Sequence, residues 1–153
     1  YFKKSSSVEN SSNLSKQIDL EDSIGIKDIE TYIKFSENCE FAKSAFKKIL
    51  ETYKSQDCRI VGYGATSKST TILNYCDVGK DLIDFFVDTT PIKQNTFTPG
   101  KHIPVLPYSE FIPYPEVAVL FAWNHKNEIL AKEKGYSKRN GKWIVPVPKI
   151  KII

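Results

Sequence analysis

Between Arg59 and Thr70 the chain gathers small, hydroxylated and cationic residues: Gly62, Tyr63, Gly64, Thr66, Ser67 and Lys68, with Ser69 and Thr70 behind them. The two glycines follow the apolar pair Ile60-Val61 and stand one residue apart. Glycine lets a backbone take positive φ and come close to a ligand. The hydroxyls can donate or accept, and Lys68 adds a mobile positive charge. That mixture suits a phosphate at the start of a helix, where the first N–H groups have no intrahelical partner and carry partial positive charge. Two templates half-fit. The glycine pair reads G-x-G-x-x-S, with Ser67 standing where a dinucleotide-binding turn has its third glycine. The span Gly62 to Ser69 also has the spacing of a P-loop, again with Ser67 in place of a glycine. A third reading is a plain strand–helix corner with no ligand.

Two further groups could complete a site. Asp88, Thr89, Thr90 and Lys93 follow the apolar run Leu82 to Val87. An acid at the end of a second parallel strand can accept hydrogen bonds from a ribose. Asp88 lies 26 residues beyond Gly62, against a usual distance of about 20. The rival reading is an Asx turn ahead of Thr89-Thr90-Pro91. Asn124 and His125 follow the run Val117 to Ala122 and could hydrogen-bond a sugar or base; alternatively Asn124 caps the next helix.

The elements that must position these residues alternate. A helical apolar stripe of Ala42, Ala45, Phe46, Ile49, Leu50 and Tyr53 predicts a helix from Asp28 to about Tyr53. The glycine turn then joins a strand to a helix over about Lys68 to Cys76, stopped at Asp77-Val78-Gly79. Strands are expected at Leu82 to Val87, at Ile103 to Leu106 and at Val117 to Ala122. The proline of the second puts it at an edge, and the unbroken apolar third is buried on both faces. Tyr108 to Phe111 is a helical turn at most. A helix over Lys126 to Lys138, a turn at Arg139-Asn140-Gly141 and a strand at Trp143 to Pro148 close the chain. Such alternation predicts an α/β, Rossmann-like three-layer sandwich with a mostly parallel sheet of four or five strands. The glycine turn then lies at the switch point beside the Val117 strand. Residues 1–25, rich in serine, read as an extended connector, with weak strand character at Tyr1-Phe2, ahead of a domain over 26–153.

Composition narrows the function classes. The 153 residues carry a net charge of +4, spread along the chain, without the arginine-and-aromatic platform of a nucleic-acid binder. No apolar run nears the ~20 residues of a membrane span. Cys39, Cys58 and Cys76 are odd in number and far apart, which favours a reducing, cytoplasmic setting over disulfides or a zinc site. The sequence has no methionine and starts at Tyr1, so it reads as a piece of something longer.

Five motifs in order resemble one family: Val61-Gly62-Tyr63-Gly64-Ala65-Thr66-Ser67-Lys68-Ser69; Asp84-Phe85-Phe86-Val87-Asp88-Thr89-Thr90-Pro91 with Lys93-Gln94; Thr98-Pro99-Gly100-Lys101-His102-Ile103-Pro104-Val105; Phe121-Ala122-Trp123-Asn124-His125; and Gly141-Lys142-Trp143-Ile144-Val145-Pro146-Val147-Pro148. Together they resemble the C-terminal domain of SAM-dependent C-methyltransferases that act on nucleotide-linked deoxysugars. The resemblance implies that this domain helps to hold a nucleotide-linked sugar. It also implies that SAM and the catalytic His/Glu/Tyr group belong to an upstream methyltransferase domain, preceded by a zinc-binding one. No catalytic residue and no cofactor are then expected in this chain, which would be inactive alone.

Other readings stay open: a stand-alone nucleotide-binding domain for NAD or SAM, or a degenerate P-loop protein. A SAM-binding turn usually has an acid two residues before its first glycine, where this chain has Ile60. A P-loop enzyme needs a second catalytic acid or an arginine finger, and neither is evident.

Overall fold

The computed structural model describes residues 11–153, so the strand character expected at Tyr1-Phe2 lies outside the described residues. The chain divides into two compact units, one up to Glu40 and one over Phe41–Ile153. In the first, Ser12–Ser23 form helix α1, capped by the Ser11 hydroxyl, which accepts from the Leu14 N–H. The helix replaces the extended conformation expected over these residues. Serine disfavours helix interiors but is among the best N-caps, and Gln17 and Glu21 add an i,i+4 hydrogen bond behind it. Helix α2 (Ile29–Lys54) opens in this unit and ends in the next.

The second unit is built on one seven-stranded sheet. Its strands are β1 (Ile60–Tyr63), β2 (Phe85–Asp88), β3 (Thr96–Phe97), β4 (Pro104–Pro107), β5 (Val117–Leu120), β6 (Lys142–Val145) and β7 (Lys151–Ile152). Their order is β3-β4-β2-β1-β5-β6-β7. The inner strands β4, β2, β1, β5 and β6 are parallel, and β3 and β7 pair antiparallel at the two edges. Numbering only the parallel strands gives 3-2-1-4-5, the Rossmann order, with the switch point between β1 and β5. The sheet therefore exceeds the four or five strands expected, because the two-residue β3 and β7 are too short to show any period. β3 also covers β4, so Pro104 opens an inner strand rather than marking an edge; it is the first residue there, where proline is tolerated.

Side chains alternate across the sheet. Ile60, Phe86, Val105, Val117, Val119 and Ile144 point to one face and pack with Phe46 and Leu50 of α2 and Leu73 of α3 (Ser67–Tyr75). Val61, Tyr63, Val87, Ala118, Leu120 and Trp143 point to the other, against Phe111 and Tyr136, with Ile129 and Leu130 beside them. Helices on both faces make the three layers predicted. Asp84 ties α2 to the sheet by accepting from the Ile60 N–H at 2.8 Å and from Lys54 Nζ at 2.6 Å. The helix expected over Lys126 to Lys138 is broken in two, α4 (Lys126–Lys132) and α5 (Lys134–Lys138), with Glu133 between them at φ −93° and ψ 32°.

Candidate functional site

β1 ends in the glycine turn, and the two glycines have different tasks. Gly64 has φ +89°, a conformation that favours glycine, and a Cβ there would come tightly within 3.0 Å of the Ala122 Cβ, just beyond β5. Gly62 is a packing position: a Cβ would lie 2.5 Å from the Phe86 ring. No ligand approaches the backbone on that side, because an aromatic side chain already fills it.

The turn leads into α3 through a capping box. The Thr66 hydroxyl accepts from the Ser69 N–H at 3.1 Å, and the Ser69 hydroxyl accepts from the Thr66 N–H at 2.9 Å. Asp88, only 8 % exposed, reaches across from the end of β2. Its Oδ2 accepts from the Ala65 N–H at 2.8 Å and lies 3.3 Å from Lys93 Nζ; its Oδ1 accepts from the Thr90 N–H at 2.8 Å. Burial pushes this carboxyl up, but the Thr90 donors and the Lys93 ammonium outweigh it and hold the group below the ordinary carboxylate value. The bond to the Thr90 N–H is the Asx turn that the sequence offered as one reading. The carboxylate thus clamps the β2 loop to the glycine turn and takes one donor, the Ala65 N–H, that a phosphate would otherwise use.

Over the switch point, at the carboxyl ends of β1, β2 and β5, lies a crevice of about 480 Å³. Tyr63, Gly64, Thr66, Asp88, Thr89, Thr90, Lys93 and His125, residues from all three sequence clusters, line it. Ser67 lines an adjoining hollow of about 490 Å³ that shares Thr66 and Lys93 with the crevice and adds Ser69, Thr70, Thr96 and Thr98. Lys68 turns away, its Nζ 5.3 Å from the centre of the Trp123 ring. His125 stands on the rim, its Nδ1 3.4 Å from Glu128 Oε2. Asn124 is exposed and is not the helix cap: His125 holds that position, without a side-chain capping bond. Gly62, Lys68 and Asn124 are therefore not brought to the crevice.

The far wall comes from residues that no motif marked: Tyr108, Glu128, Ile129 and Lys132. Behind it Glu133 is buried, 2 % exposed. The Tyr63 hydroxyl donates to its Oε1 at 2.9 Å and the Tyr108 hydroxyl at 2.6 Å. Lys132 Nζ lies 3.6 Å from the same oxygen and 3.6 Å from the centre of the Tyr108 ring. Burial first, and then the bond to Glu133, raises both phenols well above the ordinary tyrosine value, so they stay protonated. Positions 63, 108 and 133 share no sequence period; only the fold brings them together.

A switch-point crevice over a 3-2-1-4-5 sheet, lined by hydroxyls, lysines and one clamped aspartate, defines a Rossmann-like domain with a candidate site where that fold places its ligands. The family model for the C-methyltransferase C-terminal domain matches residues 1–148, and the chain belongs to that family. A curated relative, C-methyltransferase NovU of Streptomyces niveus, is 31% identical over 134 residues, which cover 87% of this chain and 32% of the relative. The chain thus spans about a third of that relative's length. Among the described residues no helix is long and apolar enough to cross a membrane.

Proposed function

We propose that this chain is the substrate-holding part of a larger SAM-dependent C-methyltransferase, and that its ligand is a nucleotide-linked sugar. The observation that carries this reading is the crevice at the switch point, lined by side chains suited to an elongated, partly anionic and richly hydroxylated ligand. Thr66 and Lys93 stand where the crevice meets its neighbouring hollow, which Ser67 lines, and the diphosphate rests there. The ammonium of Lys93 and the free hydroxyl of Ser67 supply donors. The sugar extends past Thr89, Thr90 and His125. Lys68 reaches the phosphates only by leaving Trp123.

SAM is held elsewhere in the full-length enzyme. Two features of the glycine turn fit it poorly: Ile60 is buried where an acid is wanted, and the Phe86 ring fills the space at Gly62. Methyl transfer is accordingly assigned to upstream domains, in keeping with the third of the relative's length that this chain spans. None of the three cysteines forms a disulfide, and the proposal places the enzyme in the cytoplasm.

Titrating the purified chain with thymidine diphosphate, thymidine diphosphate glucose, SAM, ATP and NAD tests the reading. Binding confined to the two thymidine nucleotides is the expected result. Tight binding of SAM or NAD in their place would replace it with a stand-alone cofactor domain, and tight binding of ATP alone with a degenerate P-loop protein.

A further inference from the structure

We propose that Tyr108 and Lys132 form the subsite for the sugar ring, and that Glu133 is its positioning residue. This rests on the reading of the crevice as a nucleotide-sugar site and assigns the sugar end to the α4 wall.

The buried carboxylate needs an explanation. Removing a charge from water is costly, and an apolar trio at 63, 108 and 133 could pack this face of the sheet as well. Yet all three partners of the Glu133 carboxylate, namely Tyr63, Tyr108 and Lys132, line the crevice. The chain leaves its helical path at Glu133, which ends α4 directly after Lys132. The carboxylate is therefore tied to the crevice wall through each contact it makes.

Those contacts fix what the wall offers. A carboxylate only accepts, so both phenols must spend their single proton on Oε1. Their oxygens can then only accept from a ligand. The ammonium of Lys132, held by the same Oε1 and by the face of Tyr108, can only donate. Acceptors beside a donor suit adjacent ring hydroxyls, each of which gives one hydrogen bond and takes others. A nucleobase is served less well, because Lys132 already covers the Tyr108 face on which it would stack. The wall thus favours a hydroxylated saturated ring over an aromatic one.

The test compares dissociation constants for thymidine diphosphate and thymidine diphosphate glucose in the parent chain, Tyr108→Phe and Glu133→Gln. The quantity read is the ratio of the two constants, which isolates the gain from the sugar. The parent should bind the sugar nucleotide more tightly. Each variant should lower that gain about fivefold, the equivalent of one hydrogen bond, with thymidine diphosphate bound as before. Tyr108→Phe keeps the packing of the ring, so it reports even if Glu133→Gln folds poorly. A parent that gains nothing from the sugar, variants that keep the full gain, or variants that weaken both ligands equally would overturn the subsite. A parent that binds neither nucleotide would fail the broader reading, and the subsite with it.

Discussion

Asp88 shows how one residue can serve the turn and the crevice together. Its oxygens hold the Ala65 and Thr90 amides and the Lys93 ammonium, so little of it is left for a ribose. We expect Asp88→Asn to lower stability at neutral pH by about 1.5–3 kcal/mol, the range for hydrogen bonds to a charged group. The folded carboxyl lies below its ordinary value. Its contribution is therefore complete above the unfolded value of about 3.9 and is lost as pH falls from there through the folded value. Urea melts at several pH values should show a constant gap between parent and variant above about pH 5 that closes in acid. A gap that widened in acid would reverse the sign of the linkage. At this scale the sequence was legible where chemistry is local. The Gly64 turn and the Asx turn of Asp88 are written in neighbouring residues, whereas Gly62 owes its glycine to Phe86, a contact that no spacing announces.

The capping box gives α3 a signal within four residues, and the element was found where it was expected. Thr66→Ala removes the acceptor for the Ser69 N–H and should cost about 1 kcal/mol, as lost N-caps do. The measurement is the urea midpoint, with the slope unchanged because the exposed surface on unfolding is the same. Thr66→Ser, which keeps the acceptor, should restore most of the loss; if it does not, the methyl group and not the cap is what matters. Elements governed by their own periodicity, such as β1, β5 and α2, were equally legible. Elements decided by distant partners were not. The apolar pattern runs on through Lys126 to Lys138, but the helix breaks at Glu133, whose carboxylate accepts from Tyr63 and Tyr108. In α1 a serine-rich composition concealed a cap.

At the scale of the molecule, the crevice belongs to one unit. Every residue that lines it falls between Tyr63 and Lys132, inside Phe41–Ile153. The α2 side chains buried in the core are Phe46 and Leu50, also in that unit. Among residues 11–40 none is buried, so their removal deletes little of the area that drives folding. A chain shortened to 41–153 should accordingly melt cooperatively and keep its ligand response. By linkage, a ligand at 100 times its dissociation constant stabilises the folded state by about 2.7 kcal/mol. Thymidine diphosphate glucose at that excess should therefore raise the melting temperature of the full and the shortened chain by similar amounts. SAM at the same concentration should shift neither. The decisive comparison is between the two rises. If the shortened chain melts cooperatively yet loses its rise, residues before Phe41 complete the site, and the switch-point crevice holds only part of the ligand.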